Sequence, residues 1–217
     1  MISSHSISKI IKLKSKTLHI LDDITLDTKN SAINLLYGKS GSGKTTLLHI
    51  LSGLDLPTSG QCIINNTDIT SLSTDQRAEF RLKNIGMVYQ FFNLIPNLTI
   101  LENIQLPLVI SQQKNDQLPE LCNYLGIESI LNQFPKECSG GELQRASFAR
   151  AMVNKPTVIM ADEPTGNLDS TNRQLMMELI QRCAADFGIS FFIATHDDLF
   201  QSIATKQFTL KDGALIS

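Results

Sequence analysis

The chain has 217 residues, with 19 Lys+Arg against 21 Asp+Glu and a formal net charge of −2, a length that suits one domain or one domain carrying a subdomain. At 42% hydrophobic and 18% charged, against about 25% charged in average globular chains, it has ample apolar material for a core, which excludes disorder as the main state. The near-neutral balance leaves no footprint for sequence-independent nucleic-acid binding, which needs a clustered basic excess.

Along the chain, Lys9, Lys12, Lys14 and Lys16 interleave with Ile10, Ile11 and Leu13 and read as the wet face of an early strand. Residues 31–37 are a short apolar run ending at a Gly-rich turn, and residues 45–51 have helical spacing, so strand, loop and helix follow one another. A further strand is predicted over residues 85–89. From 91 to 152 the β-type runs vanish, leaving helical segments separated by Pro96, Pro107, Pro119 and Pro135. Residues 157–161 and 189–195 are continuous apolar runs, the pattern of strands buried on both faces of a parallel sheet. Leu175, Met176, Leu179 and Ile180 predict a helix between them over 172–185. Asp212-Gly213 between two short apolar runs marks a terminal hairpin. The expectation is an α/β fold with a mostly parallel sheet, an N-terminal antiparallel part and an inserted helical subdomain. In this division the single domain spans 1–217, with 1–90 and 153–217 as the α/β core and 91–152 as the helical part.

The longest uncharged stretch, 84–101, is interrupted by Gln90, Asn93, Pro96 and Asn97, which disqualifies it as a span of about 20 apolar residues. The N-terminus lacks an apolar segment followed by a small-residue cleavage site, so a cytosolic location is expected. Cys62, Cys122, Cys138 and Cys183 lie far apart without C-x-x-C spacing and read as reduced, mostly buried thiols.

Gly38, Lys39, Ser40, Gly41, Ser42, Gly43, Lys44 and Thr45 fit G-x-x-x-x-G-K-[ST] between a predicted strand and a predicted helix, the context that confirms a phosphate loop. Its backbone N–H groups and the helix N-terminus suit phosphate oxygens, Lys44 reaches the β/γ phosphates, and Thr45 can offer its hydroxyl to Mg²⁺. Asp162 and Glu163 end an apolar strand at the sheet edge where α/β proteins bind ligands. One acid there can hold the metal while the next orients and deprotonates an attacking water; Asp162 is assigned to Mg²⁺ and Glu163 to the base.

Ser139-Gly140-Gly141-Glu142 followed by Leu143-Gln144-Arg145 resembles the signature motif of ABC ATPases. Gln90 after a strand, Asn167-Leu168-Asp169 after the two carboxylates, and His196 closing the last apolar strand are similar to that family's Q-loop, D-loop and switch histidine. Residues 54–60, 90–96, 98–103 and 164–169 resemble the bacterial ATPases of macrolide export, lipoprotein release, cell division and antimicrobial-peptide export. The resemblance implies ATP and Mg²⁺ as cofactors, with Thr46 and Gln90 at the nucleotide and Gln90 also at the metal. It further implies that His196 contacts the γ-phosphate and that Ser139, Gly140, Gly141 and Glu142 cover the nucleotide of a second subunit. The partners implied are a second ATPase chain, identical or related, and a separate integral-membrane permease. Peripheral attachment at the cytoplasmic membrane face follows, with export or extrusion favoured over import. A mechanical variant that moves its partner without transport is the alternative; a soluble nucleic-acid or ribosome-associated ABC protein is disfavoured, as no long coiled-coil insertion, second ATPase unit or basic surface is visible in the sequence.

Three departures from the family stand out. Cys138 and Glu142 replace the usual Leu and Gln, and residues 1–36 hold no aromatic to stack on adenine, the register placing Ile11 there instead. Ser139 and Glu142 fit an S-x-x-E capping box, which predicts that Glu142 points away from nucleotide and leaves the Ser139 hydroxyl proton free to donate. Helix N-termini lower thiol pKa values, yet a small packed hydrophobe is the favoured reading of Cys138. Phe91 and Phe92 are expected either in the core or beside a groove for the membrane partner.

Overall fold

The computed structural model describes residues 1–216. In chain order its elements are β1 (Ile2–Lys12), β2 (Thr17–Asp27), β3 (Ile33–Tyr37), α1 (Lys44–Leu51), β4 (Ser59–Ile64), β5 (Thr67–Asp68), α2 (Thr74–Asn84) and β6 (Ile85–Val88). After these come α3 (Ile100–Ser111), α4 (Leu118–Tyr124), α5 (Gly140–Met152), β7 (Val158–Asp162), α6 (Ser170–Phe187), β8 (Ser190–Thr195), β9 (Lys206–Lys211) and β10 (Ala214–Ile216).

A six-stranded sheet runs β10-β9-β3-β8-β7-β6, parallel throughout except for the terminal hairpin β9–β10. A second, four-stranded antiparallel sheet runs β2-β1-β4-β5. The pleat of β8 shows why its sequence is unbroken in apolarity. Phe191 and Ile193 join one core with Phe148 of α5 and Ile180 of α6, while Phe192 and Ala194 join the other with Leu47 and Leu48 of α1 and Ile7 of β1. Both faces are covered, so no polar alternation is required. The first core lies between the parallel sheet and the helices; the second is sandwiched between the two sheets around α1. Among the described residues no helix is long and apolar enough to cross a membrane.

Two elements differ from the sequence expectation. Pro107 does not separate helices but lies inside α3. An interior proline costs about 3 kcal/mol, which the burial of Ile100, Ile104 and Leu108 on one stripe, worth about 1.5–3 kcal/mol each, exceeds. Lys9 is not on a wet face: its Nζ donates to Asp55 Oδ1 at 2.8 Å and to the Leu56 carbonyl at 2.7 Å, while Lys12, Lys14 and Lys16 are exposed.

Candidate active site

The phosphate loop leaves the C-terminal end of β3 and turns into α1. Gly43 caps that helix at φ 104°, and a Cβ there would lie 2.9 Å from the Ile20 carbonyl; the loop therefore closes against β2 only with glycine at this point. Ile20, Ser40, Gly41, Gly43, Lys44, Thr45 and Thr46 line one side of a cleft of about 470 Å³, with Gln90, Asp162, Glu163 and His196 on the other. Five separate segments thus converge, four of them at the C-terminal ends of the neighbouring parallel strands β3, β8, β7 and β6. This is the edge where open α/β sheets bind ligands.

Lys44 and Glu163 meet inside the cleft. Lys44, only 6% exposed, donates from Nζ to the Gly38 carbonyl at 2.8 Å and to the Lys39 carbonyl at 3.2 Å, and lies 3.3 Å from Glu163 Oε1. His196 Nδ1 is 2.8 Å from the same Oε1, and the Thr195 hydroxyl donates to Glu163 Oε2 at 2.7 Å. Burial works to raise the Glu163 pKa, but the His196 and Thr195 hydrogen bonds and the Lys44 charge outweigh it, holding the carboxyl below the usual range. The Glu163 backbone is left-handed, φ 47°, a conformation costing about 1–3 kcal/mol for a non-glycine residue. Its N–H donates to the Ala194 carbonyl at 2.8 Å, fixing the turn that brings the carboxylate back over the loop.

Asp162 behaves differently. Burial pushes its pKa up, opposed by a hydrogen bond from the Thr45 hydroxyl, and Oδ1 is buried without a partner. A carboxylate oxygen so placed, beside a hydroxyl and the Gln90 amide in one cleft, fits a hard divalent cation. No group of three or more His, Cys, Asp or Glu among the described residues could cage a metal, so a cation here would draw its other ligands from phosphate and water, the usual habit of Mg²⁺.

The signature residues lie elsewhere. Ser139 is exposed at the N-cap of α5, and none of Ser139, Gly140, Gly141 or Glu142 lines the cleft. The capping box forms as expected, with the Ser139 N–H donating to Glu142 Oε2 at 2.7 Å. The hydroxyl proton is not free, however: Ser139 Oγ also donates to Glu142 Oε2, at 2.7 Å. A carboxylate at this position accepts both donors, and those bonds, the hydroxyl's first, hold the Glu142 pKa below the usual range. Gly141 is buried so tightly that a Cβ would collide with the Asn172 side chain, and Asn172 in turn donates to Asp169 Oδ2 at 2.8 Å. Of the segment similar to a D-loop, Asn167 donates to the Gln90 carbonyl at 2.7 Å, Leu168 is buried, and Asp169 caps α6 by accepting from the Asn172 N–H at 2.8 Å.

Ile11 is not brought to the cleft: it stands 40% exposed on β1, and Ile20 of the neighbouring strand lines the loop side instead. Phe91 is not core, at 71% exposed. Cys138 packs partly buried against the helical core, and burial, reinforced by Glu142 and Glu137, pushes its thiol up rather than down. The other three thiols are buried and free. Sequence reasoning missed Thr195, whose hydroxyl grips Glu163; its only signal was its place beside His196 at a strand end.

Residues 21–166 match the ABC transporter family, and the chain belongs to it: it is an ABC-type ATPase, with ATP as its nucleotide. The ABC transporter ATP-binding protein YtrE of Bacillus subtilis (strain 168) is 40% identical over 215 residues, covering 97% of this chain and 93% of YtrE. The lipoprotein-releasing system ATP-binding protein LolD of Bordetella avium (strain 197N) is 37% identical over 214 residues, with the same two coverages, 97% and 93%. The dimeric, post-hydrolysis structure of the ATP-binding cassette MJ0796, bound to ADP and Pi, matches with a TM-score of 0.92 at 33% identity, covering 100% of this chain and 97% of that one.

Proposed function

We propose that two cassettes of this type close head to tail around two ATP molecules, and that closure and reopening drive a separate integral-membrane permease in export or extrusion. The observation that carries this is the division of the site: Lys44, Thr45, Asp162, Glu163 and His196 converge in one cleft, whereas Ser139–Gly141 lie outside it. A second copy, or a related chain, would bring its signature to the open side. The dimeric cassette MJ0796 and the lipoprotein-releasing relative LolD support the pairing and the direction. Attachment is peripheral, at the cytoplasmic membrane face, and residues 91–152 form the helical signature subdomain.

In this reading the loop of Gly38–Thr46 cradles the phosphates, with Lys44 turned from Glu163 toward the β/γ oxygens. Thr45, Gln90 and Asp162 would hold Mg²⁺, which would supply positive charge to the phosphates. Glu163, released from Lys44, orients and deprotonates the attacking water, and His196 contacts the γ-phosphate. The Ser139 hydroxyl leaves Glu142 Oε2 to donate to the partner's γ-phosphate, while the Ser139 N–H keeps Glu142 turned away.

Glu163→Gln tests the assignment. It is expected to bind ATP and accumulate a closed dimer while phosphate release falls about 10²–10⁴-fold, the span of a general base; unchanged turnover would remove Glu163 from that role.

A further inference from the structure

Thr195 closes β8 and is fully buried, and its hydrogen bonds reach three different parts of the site. Its carbonyl accepts from the N–H of Gly38, the first residue of the phosphate loop, at 3.3 Å. Its hydroxyl oxygen accepts from the Asp197 N–H at 3.0 Å, and the hydroxyl proton goes to Glu163 Oε2 at 2.7 Å. A hydroxyl has one proton to give. With the acceptor side taken by a backbone N–H and the side chain shut from solvent, the direction of that proton is set. The β-branch adds to this by restricting χ1.

The two oxygens of Glu163 are therefore held differently. Oε2 takes the Thr195 hydroxyl and, at 3.4 Å, the His196 N–H, donors fixed at the end of β8. Oε1 meets Lys44 Nζ at 3.3 Å and His196 Nδ1 at 2.8 Å, side-chain groups that nucleotide would draw toward its phosphates. ATP thus frees Oε1 and leaves Oε2 in place. A second tie joins the same two segments: the Thr165 hydroxyl, on a residue 2% exposed, donates to Asp197 Oδ2 at 3.3 Å. Such restraint is needed, because the left-handed backbone of Glu163, φ 47°, persists only where its surroundings over-determine it.

We infer that Thr195 is a positioning residue for the hydrolytic step: its hydroxyl holds Oε2 from the strand side while its carbonyl holds the start of the phosphate loop, which leaves Oε1 as the oxygen that receives the proton of the attacking water. The inference rests on the reading of Glu163 as the base and adds which atom acts and what aims it. Oε1 takes that proton as the water oxygen bonds to the γ-phosphorus and the bridging oxygen leaves with ADP. Thr195 itself touches neither water nor phosphate. Its effect passes through the carboxylate, by keeping the base at a fixed distance from the loop that holds the reacting phosphate.

The test measures steady-state phosphate release and ATP binding by the full chain. Thr195→Val keeps the shape and the β-branch but has no hydroxyl; it is expected to lower kcat about 10²-fold, the cost of a misplaced catalytic group, with ATP affinity unchanged. Thr195→Ser restores the hydroxyl and is expected to recover most of that loss. In the Glu163→Gln background, Thr195→Val should cause no further fall in residual turnover, since no base is left to misplace. Wild-type turnover by Thr195→Val, no recovery by Thr195→Ser, a matching loss of ATP affinity, or the same fall in both backgrounds would each overturn the positioning role. Should Thr195→Val lose its cooperative urea transition, Thr195→Ala takes its place with the same readings. Unchanged turnover of Glu163→Gln alone would instead remove the base assignment beneath the inference.

Discussion

The two halves of the nucleotide machinery are built on opposite plans. Around Lys44 the charged groups satisfy one another: the ammonium and the Glu163 carboxylate lie in the cleft under an exposed His196 ring, and the Lys44 and His196 nitrogens share one Glu163 oxygen within 2.8–3.3 Å. At Ser139 the polar groups are exposed and satisfied only by their own first helical turn. Each half is quiet without its ligand, but for different reasons. Phosphate must displace Glu163 from Lys44 in the first, whereas the second needs only a single hydroxyl to rotate from Glu142 to an oxygen brought from outside. A buried pair in low dielectric resists such exchange far more than an exposed one does.

Ser139→Ala probes this contrast most strongly. Because Ser139 takes no part in the cleft, ATP affinity of the single chain should be unchanged, while turnover falls roughly 10²-fold, the loss typical of one transition-state hydrogen-bond donor. The missing cap should also cost about 1 kcal/mol of stability, visible in urea unfolding. Weakened ATP binding by the monomer would mean that the two halves are not separate.

A smaller effect concerns the base. With aliphatic Ile20, and no aromatic, lining the loop side of the cleft, the site forgoes about 0.5–1.5 kcal/mol of ring stacking, so ATP and GTP should turn over at similar rates at equal concentration. A strong ATP preference would place the base on another platform, such as His19.

The least effect is at Cys138. Its pKa is raised above the ordinary thiol value, so the protonated form prevails at neutral pH and the reactive thiolate appears only as the pH climbs past the ordinary thiol range. Iodoacetamide should therefore modify Cys138 more slowly at pH 7.5 than it modifies free cysteine, and ATPase activity should resist mild peroxide. Fast labelling at pH 7.5 would show the helix N-terminus dominating after all.

The parallel sheet and the phosphate loop were legible because their signals are local and redundant: unbroken apolar runs over 157–161 and 189–195, and a glycine loop between a strand and a helix. The helix α2 was not, since none of its residues is buried and it carries no apolar stripe; its one mark was the Ser73–Gln76 capping box. Pro107 misled because proline's local penalty is visible in sequence, whereas the buried stripe of α3 that overrides it depends on tertiary packing. At the site, residue types and order identified Lys44, Asp162, Glu163 and His196, but not the grip of Thr195 on Glu163 or the use of the Ser139 proton. Both depend on where a hydroxyl turns once the backbone is in place.

A crystal structure of Glu163→Gln with ATP is the most direct trial of the two-chain site. Ser139 Oγ and the Gly141 N–H of one subunit should lie within hydrogen-bonding distance of the γ-phosphate held by the other subunit's Lys44. A nucleotide enclosed by one chain alone, with Ser139 and both glycines remote from any phosphate, would contradict it.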